Sequence, residues 1–272
     1  MENLLVLLPV YNRINTTEKC ISCIKAQNYT NYTLVLIDDG STDGTADMVL
    51  REIPDTVVIK GKGNWWWAGS LQQGINWINH HKFSSDDFIL ILNDDVEFAD
   101  NFFDIAISIL KSKRNTLLLS QCFSKQTGEL IDAGTHVDWN NLSFVKAESP
   151  EHINCLSTRG LFFRIEDMQK IGSFHPFLLP HYGSDYEYTI RAYNKGFKLI
   201  TDEKLKLYCD DEKTGIHNIK GENFFIKMKK LFSKKSALNP FMWLIFIAFS
   251  CPAKNKIKAI FNGGVRLLKK VI

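Results

Sequence analysis

The stretch Leu34-Val35-Leu36-Ile37-Asp38-Asp39-Gly40-Ser41-Thr42-Asp43 decides the fold. Four apolar residues in unbroken succession read as a strand buried on both faces, and two carboxylates and a glycine end it abruptly. The pattern recurs on either side. Leu4-Leu5-Val6-Leu7-Leu8 runs into Pro9, and Phe88-Ile89-Leu90-Ile91-Leu92 runs into Asn93-Asp94-Asp95. Between these runs the apolar spacing turns helical, over 16–28, 44–51 and 68–79, with a further strand at 57–59. A helix over 100–111 and a strand over 117–122 follow. Strand and helix in alternation, with short connections, predict an α/β domain with a mostly parallel central sheet and helices on both faces. In such sheets ligands bind beyond the carboxyl ends of the strands. Asp38, Asp39, Asn93, Asp94 and Asp95 are therefore expected on one rim.

Past residue 122 the pattern is less regular. Gly128, Gly134 and Asp138-Trp139-Asn140-Asn141 read as turns between short strands. A strand over 156–164, a helix over 184–194 ended by Gly196, and a return to the sheet over 197–201 are expected. No internal repeat or low-complexity segment interrupts the chain.

Composition narrows the class. The 272 residues are 45% hydrophobic, 12% aromatic and 23% charged, which excludes disordered, collagenous and mini-protein classes. Of six cysteines only Cys20 and Cys23 are close, and no second pair or histidine cluster completes a zinc set. They are expected on the inner face of a helix. The N-terminus lacks a basic segment ahead of Leu4 to Pro9, so no secretory leader is read there and a reducing, cytoplasmic setting is expected. The net charge of +3 hides an asymmetry: residues 1–219 sum to −8 and residues 220–272 to +11. Two units are expected, an acidic body over 1–219 and a basic helical tail over 220–272.

Three further motifs carry chemistry. Asp38 to Asp43 suits a turn with helix-capping residues, and equally a carboxylate that accepts hydrogen bonds from a nucleobase or ribose. Asn93-Asp94-Asp95 suits a surface turn, or a cation site: paired carboxylates repel unless a cation or donor sits between them, and hard oxygen ligands suit Mg²⁺ or Mn²⁺ on a diphosphate. Gly61-Lys62-Gly63-Asn64-Trp65-Trp66-Trp67-Ala68-Gly69 holds three tryptophans that cannot all face one core, so at least one should border a cleft. Neither a dinucleotide fingerprint after the first strand nor a P-loop is present. At His181-Tyr182-Gly183-Ser184-Asp185-Tyr186-Glu187, Ser184 and Glu187 fit a capping box. The helix dipole would keep Asp185 ionised, as a base poised at a cleft must be.

Taken in this order, Pro9-Val10-Tyr11-Asn12-Arg13, Ile37 to Asp43, Gly63 to Gly74, Leu92 to Val96 and Ser184 to Gly196 resemble glycosyltransferase family 2, inverting enzymes with the GT-A nucleotide-sugar-binding fold. The Trp-Trp-Trp-Ala-Gly and Leu-Asn-Asp-Asp features look most like a rhamnosyltransferase-like branch that builds bacterial surface polysaccharide. The resemblance implies a donor such as dTDP-rhamnose or a UDP-sugar and a glycan or lipid-linked acceptor. It implies that Pro9, Tyr11, Asp38 and Asp39 line the nucleoside pocket, with Asn12, Asn64, Trp67, Gly69 and Asn93 completing the donor site. Asp95, with Asp94, would hold Mg²⁺ or Mn²⁺, and His217 would add a metal or diphosphate contact. Asp185 stands where the catalytic base stands, with Glu187 second. The chain departs from the pattern in having Asn93 at the first position of the D-x-D motif, Ser184 for the first acid of a Glu-Asp pair, and Gln72 where Asn is common. Rival readings are a nucleotidyltransferase, which lacks its Gly-rich basic loop here, and a non-catalytic sugar-binding module, which leaves the acids unexplained.

The tail interleaves Phe224, Phe225, Met228, Leu231 and Phe232 with lysines, and repeats Ile257, Ile260, Phe261, Val265 and Leu268 at helical spacing. Residues 236–253 are uncharged but broken by Asn239, Pro240 and Pro252, and 241–251 is too short to span a bilayer. Docking on an anionic membrane is expected. The alternative is packing on the body or on a second copy, as a homodimer. With an acidic body and no reader motif, nucleic-acid binding is not expected.

Overall fold

Strand β1 (Leu4–Val10) is buried along its whole length, because it is covered on both faces. Leu4, Val6 and Leu8 meet Cys20, Ile21 and Ile24 of α1 (Ile14–Lys25) and Phe102, Phe103 and Ala106 of α4 (Phe102–Lys111). Leu5 and Leu7 meet Ala68, Leu71 and Ile75 of α3 (Trp66–His80). Successive side chains of a strand point to opposite faces, so the unbroken apolar run is what two helical layers require. The computed structural model describes residues 2–210 and 239–271, and all that follows concerns these.

β1 lies between β2 (Tyr32–Asp38) and β4 (Phe88–Ile91), parallel to both, with Val10 opposite Asp38 and Leu7 opposite Ile91. β3 (Val57–Lys60) extends the parallel set beyond β2, and α2 (Thr45–Glu52) connects them. Asp38, Asp39 and Asn93 to Asp95 therefore leave the sheet at one edge, as expected.

The other half of the sheet is mixed. β10 (Leu161–Arg164) enters antiparallel beside β4, with Leu161 opposite Ile91, and also pairs β6 (Thr116–Ser124). β6 runs parallel to β11 (Lys198–Cys209), which carries β5 (Val96–Glu97) at the margin. β7 (Leu130–Asp132) pairs β6, and β8 (Thr135–Asp138) with β9 (Ser143–Lys146) forms a separate hairpin. An antiparallel strand begins where its parallel neighbours end. The residues leading into β10 thus arrive at the rim that β1, β2 and β4 reach from the opposite direction.

Four local expectations change. β5 and α5 (Ile165–Ile171) were not read from the sequence: one is a two-residue strand, and the other follows directly from β10. The strand expected over 156–164 is confined to Leu161–Arg164. Ser184 and Glu187 form no capping box, because Gly183 takes the cap position of α6 (Ser184–Asn194) at φ +79° and Ser184 Oγ donates to the His181 carbonyl.

The breakers in the C-terminal segment bound a helix rather than prevent one. Asn239 caps α7 (Pro240–Ser250), accepting from the N–H groups of Phe241 and Met242, and Pro240 sits in its first turn, where proline is tolerated. Phe246 and Ile247 of α7 are buried, Phe246 with Val137, Leu179 and Ile190, and Ile247 with Leu142 and Cys251. α8 (Lys256–Val271) follows, and its buried Ala259 joins the second group. The expected boundary at residue 219, His217, and the interleaved segment 224–232 lie outside the described residues. Among the described residues no helix is long and apolar enough to cross a membrane.

Gly160 fastens the mixed half. At φ +79° its N–H donates to the Ile91 carbonyl and its carbonyl accepts from Ser120 N and Oγ. A Cβ there would stand 2.5 Å from Leu207 Cδ2 and 2.8 Å from Ser120 Oγ. Gly160→Ala adds left-handed strain to overpacking, and urea titration should show a loss of about 2–4 kcal/mol.

Candidate active site

The rim is held together by two charged clasps. In the first, Asp39 Oδ1 accepts the N–H groups of Gly63 and Asn64 at 2.9 and 3.1 Å, and Oδ2 those of Trp65 and Trp66 at 2.8 and 3.2 Å. The carboxylate thereby engages four donors, its full complement of lone-pair sites, and pins the loop that opens α3. Gly61 is required beside it, since a Cβ there would lie 2.6 Å from Asp39 Oδ1. Asp38 Oδ1 accepts from Ser41 N at 2.7 Å, so its carboxylate closes the turn. Asn12, at φ +51°, accepts from Thr42 N and ties the end of β1 to the same turn. Pro9 is buried in β1, while the Tyr11 side chain is 52% exposed and its ring lies beside Gly63. Asn64 is exposed.

In the second clasp Arg13 reaches across from the end of β1. Its Nη1 donates to Asp94 Oδ1 at 2.8 Å and its Nη2 to Asp95 Oδ2 at 3.2 Å. The cation that two adjacent acids demand is thus, in part, a residue of the chain. Asp94 Oδ2 also accepts from Thr17 Oγ1 at 3.0 Å. Burial pushes the Asp94 pKa up to about 6, against the pull of Arg13, with Asp95 adding to the rise. Asp95 Oδ1 is buried and has no hydrogen-bond partner. Among the described residues no three His, Cys, Asp or Glu side chains gather as a metal nest. The orphaned oxygen fits a divalent cation whose other ligands arrive with a phosphate group, the usual arrangement for Mg²⁺. His217, the other expected ligand, is outside the described residues.

Beyond Asn93 the rim opens into a cavity of about 510 Å³. Trp67 lines it and donates from Nε1 to Thr158 Oγ1 at 3.1 Å, so the tryptophan run does border a cleft. Gly69 does not line it; it packs against Trp65 and Pro176. Asp185, in the first turn of α6, reaches the cavity together with Asp132, Arg159, His181 and Tyr182. Burial raises the Asp185 pKa to about 6; backbone N–H groups and Arg159 oppose the rise, and Asp132 adds to it. Asp185 is therefore mostly ionised at pH 7 but within reach of protonation. Glu187 is elsewhere. It is 1% exposed and bound bidentately by Arg191, at 2.8 and 3.0 Å, on the far side of the helix turn. That pairing removes it as a second base.

The sequence profile of glycosyl transferase family 2 matches residues 5–167. The chain belongs to that family. Its sheet order and helical layers are those of a GT-A fold, as the solved structures it resembles show. TarS from S. aureus superposes with a TM-score of 0.62 at 15% identity, covering 100% of this chain and 55% of that one. The mannosyltransferase PcManGT from Pyrobaculum calidifontis, in complex with GDP-Man and Mn²⁺, gives 0.58 at 15% identity over 97% of this chain and 69% of that one. GalNAc-T7 with UDP, GalNAc and Mn²⁺ gives 0.63 at 12% identity over 96% and 54%. In sequence, the poly-β-1,6-N-acetyl-D-glucosamine synthase of Staphylococcus aureus (strain MSSA476) is 31% identical over 97 residues, 35% of this chain and 22% of that protein. The chain spans about a fifth of the length of the curated relatives it matches.

Asp132, Ser157, Thr158 and Arg159 are cavity residues of this family-2 chain that the sequence did not announce, because β7 and the antiparallel β10 deliver them. Of the two clasps, that of Arg13 is the more exposed to test. In Arg13→Met, Asp94 and Asp95 lose the cation they share, while Asp94 keeps its bond from Thr17. The part of the cost that falls on Asp94 appears only while Asp94 is ionised. It is absent well below the native folded pKa of about 6 and reaches full size once the pH passes the still higher pKa that Asp94 takes without Arg13. Chemical denaturation should show a loss of about 1–3 kcal/mol at pH 8 that narrows towards pH 5.

Proposed function

We propose that the chain transfers a sugar from a nucleotide-sugar donor to a hydroxyl of an acceptor, with inversion at the anomeric carbon. The observation that carries this reading is Asp185, a carboxylate of raised pKa facing a 510 Å³ cavity that Asn93 of the acidic rim also lines. Asp185 takes the proton of the acceptor hydroxyl as its oxygen bonds the anomeric carbon. The bond from that carbon to the donor phosphate breaks, and the nucleoside diphosphate leaves with the electron pair. A raised pKa makes a carboxylate a stronger base while it stays ionised near neutrality.

The donor's nucleoside lies over Tyr11 and the loop that Asp39 holds, with Asp39 shaping the pocket through the backbone rather than touching the base. The diphosphate lies at Asp95, which would hold Mg²⁺ or Mn²⁺ beside it; the cation would offset the charge that grows on the leaving group. The Mn²⁺ in the PcManGT and GalNAc-T7 structures and the orphaned Asp95 oxygen support the cation. Trp67, Phe144, Tyr182 and Tyr186 offer ring faces to sugars of donor and acceptor. Resemblance to the rhamnosyltransferase-like branch favours dTDP-rhamnose, with a UDP-sugar second. The poly-N-acetylglucosamine synthase similarity favours a glycan or lipid-linked acceptor in bacterial surface polysaccharide synthesis.

Asp185→Asn should cut kcat by about 10²–10⁴ with donor affinity nearly intact. In the native enzyme kcat/KM should rise with pH through about 6, because the base works only when ionised. The same substitution should raise the melting temperature at pH 8. An acid with a folded pKa above its unfolded value of about 3.9 costs stability once ionised, and the amide never ionises. Full turnover by Asp185→Asn in a nucleoside-diphosphate release assay would remove the residue from the reaction.

We further propose that the chain works at the inner face of the cell membrane. Phe241 and Leu244 of α7 and Ile257, Ile260 and Phe261 of α8 are exposed, Ile257 to 86%, beside Lys254, Lys256 and Lys258. Apolar side chains facing water among lysines suit an anionic bilayer. The native chain should co-sediment with phosphatidylglycerol vesicles, and Phe241→Ser with Phe261→Ser should abolish it. Equal pelleting of both proteins would leave the face to a second copy of the chain.

A further inference from the structure

Arg159 stands immediately before Gly160, whose N–H is bound to the Ile91 carbonyl at the end of β4. The side chain lines the cavity with Asn93, Ser157, Thr158 and Asp185. Its surroundings are short of acceptors. Nη1 donates to Cys209 Sγ at 3.4 Å and Cys122 Sγ at 3.6 Å, and the buried Nε has no partner. Thiols are weak acceptors, and the hydrogen bond that the Cys122 thiol donates to Cys209, together with burial, keeps it protonated, so it brings no negative charge. The two acids of the cavity do not pair with the guanidinium: Asp132 accepts from Gly134 N and Ser157 Oγ, and Asp185 acts on Arg159 only through the field between them. Among the described residues Arg159 forms no ion pair.

The chain shows what a buried structural arginine looks like five residues away. Arg164, 2% exposed, spends its donors on four backbone carbonyls, those of Lys113, Asp86, Leu110 and Lys111. Arg191 is bound bidentately by Glu187 and by two carbonyls. A guanidinium carries five N–H donors in a fixed fork, and enclosing it without acceptors is costly unless an anion comes to it. The fork matches phosphate and carboxylate oxygens bidentately.

We propose that Arg159 is the built-in cation that binds the anionic oxygens of the donor, those of its diphosphate. This rests on the reading of the cavity as a nucleotide-sugar site. Arg159 shares the cavity with Asn93, the residue just before the two acids that Arg13 clasps, and the field of Asp95 reaches it. It therefore faces the place where negative charge collects as the glycosidic bond breaks. Fixed charge there is stronger in the transition state than in the ground state, so it assists departure as well as binding. The other source of such oxygens is a carboxylate on the donor sugar, which the same fork would accept.

Isothermal titration of the full chain with inorganic pyrophosphate, with and without Mn²⁺, tests the assignment. The native chain should bind pyrophosphate, Arg159→Met should bind it at least about 10-fold more weakly, and Arg159→Lys, which keeps charge but loses the fork, should fall between. Thermal melts of each variant establish that it is folded, and the Lys variant carries the comparison if the Met variant is not. Undiminished pyrophosphate affinity in folded Arg159→Met, or no binding by the native chain, overturns the proposal. Titrations with UDP-glucose and UDP-glucuronate separate the two sources. A loss confined to the glucuronate complex would assign Arg159 to a sugar carboxylate and overturn the diphosphate role. Pyrophosphate binding requires no turnover. A native chain that binds it through Arg159 yet transfers no sugar would fail the proposed reaction and leave the anion site standing.

Discussion

A strand buried on both faces must shed its polar side chains at its ends, and in this chain a common register makes those ends coincide. Val10 lies opposite Asp38 and Leu7 opposite Ile91, so the acids that follow β2 and β4 emerge within one strand spacing of the end of β1. The two helical layers that make the strands apolar throughout are therefore also what gathers the carboxylates. Moving either pairing by one residue would turn Leu5 and Leu7 toward the α1 and α4 layer, and Leu4, Val6 and Leu8 toward α3. The core thus sets the position of the rim more tightly than any contact within the rim.

Gathering acids creates an electrostatic problem that the chain solves in three ways. Asp39 is neutralised by backbone dipoles, four N–H groups from the loop that opens α3. Asp94 and the outer oxygen of Asp95 share Arg13. Asp185 is left mainly to burial, which shifts its proton equilibrium further than the backbone N–H groups beside it pull it back. The first two solutions produce rigid structure. The third leaves a group whose charge state is sensitive to what enters the cavity, and only such a group can exchange a proton on demand.

Much of this was legible in the sequence, and the exceptions have physical causes. The strands β1, β2 and β4, the helices between them and the rim acids follow from local periodicity, because a doubly covered sheet stamps an unbroken apolar run on each strand. Trp67 at the cavity follows from the impossibility of burying three consecutive indoles on one side. Arg159 and Asp132 were illegible because their placement depends on an antiparallel strand and a short hairpin partner, and no local pattern announces which strand will pair with which. Glu187 was misread although a signal existed: Arg191 stands four residues on, the spacing at which a helix brings acid and base together. The Ser184 capping pattern failed for a different reason, since Gly183 can enter the left-handed region and displaced serine from the cap. Asn239 and Pro240 were read as breakers, yet an N-cap followed by proline is how a helix begins.

Two charged groups near the rim hold buried atoms that the protein leaves unmet, as does Asp167 of α5. Arg164 and Glu187 are almost fully buried, and the protein itself supplies their partners. Asp95 Oδ1 and Arg159 Nε are buried and unmet, one an acceptor and one a donor; Arg159 lines the same cavity as Asp185, and Asp95 stands two residues past Asn93, which also lines it. Folding alone gains nothing from such groups, because an unmet buried polar atom costs on the order of 1–3 kcal/mol. A ligand that brings a cation to the acid and phosphate oxygens to the guanidinium would satisfy both together. The same ligand would leave Asp185 as the remaining group free to take a proton. Complementarity of that kind favours a substrate that is itself a cation-bearing diphosphate over a neutral sugar, which could meet neither group with opposite charge.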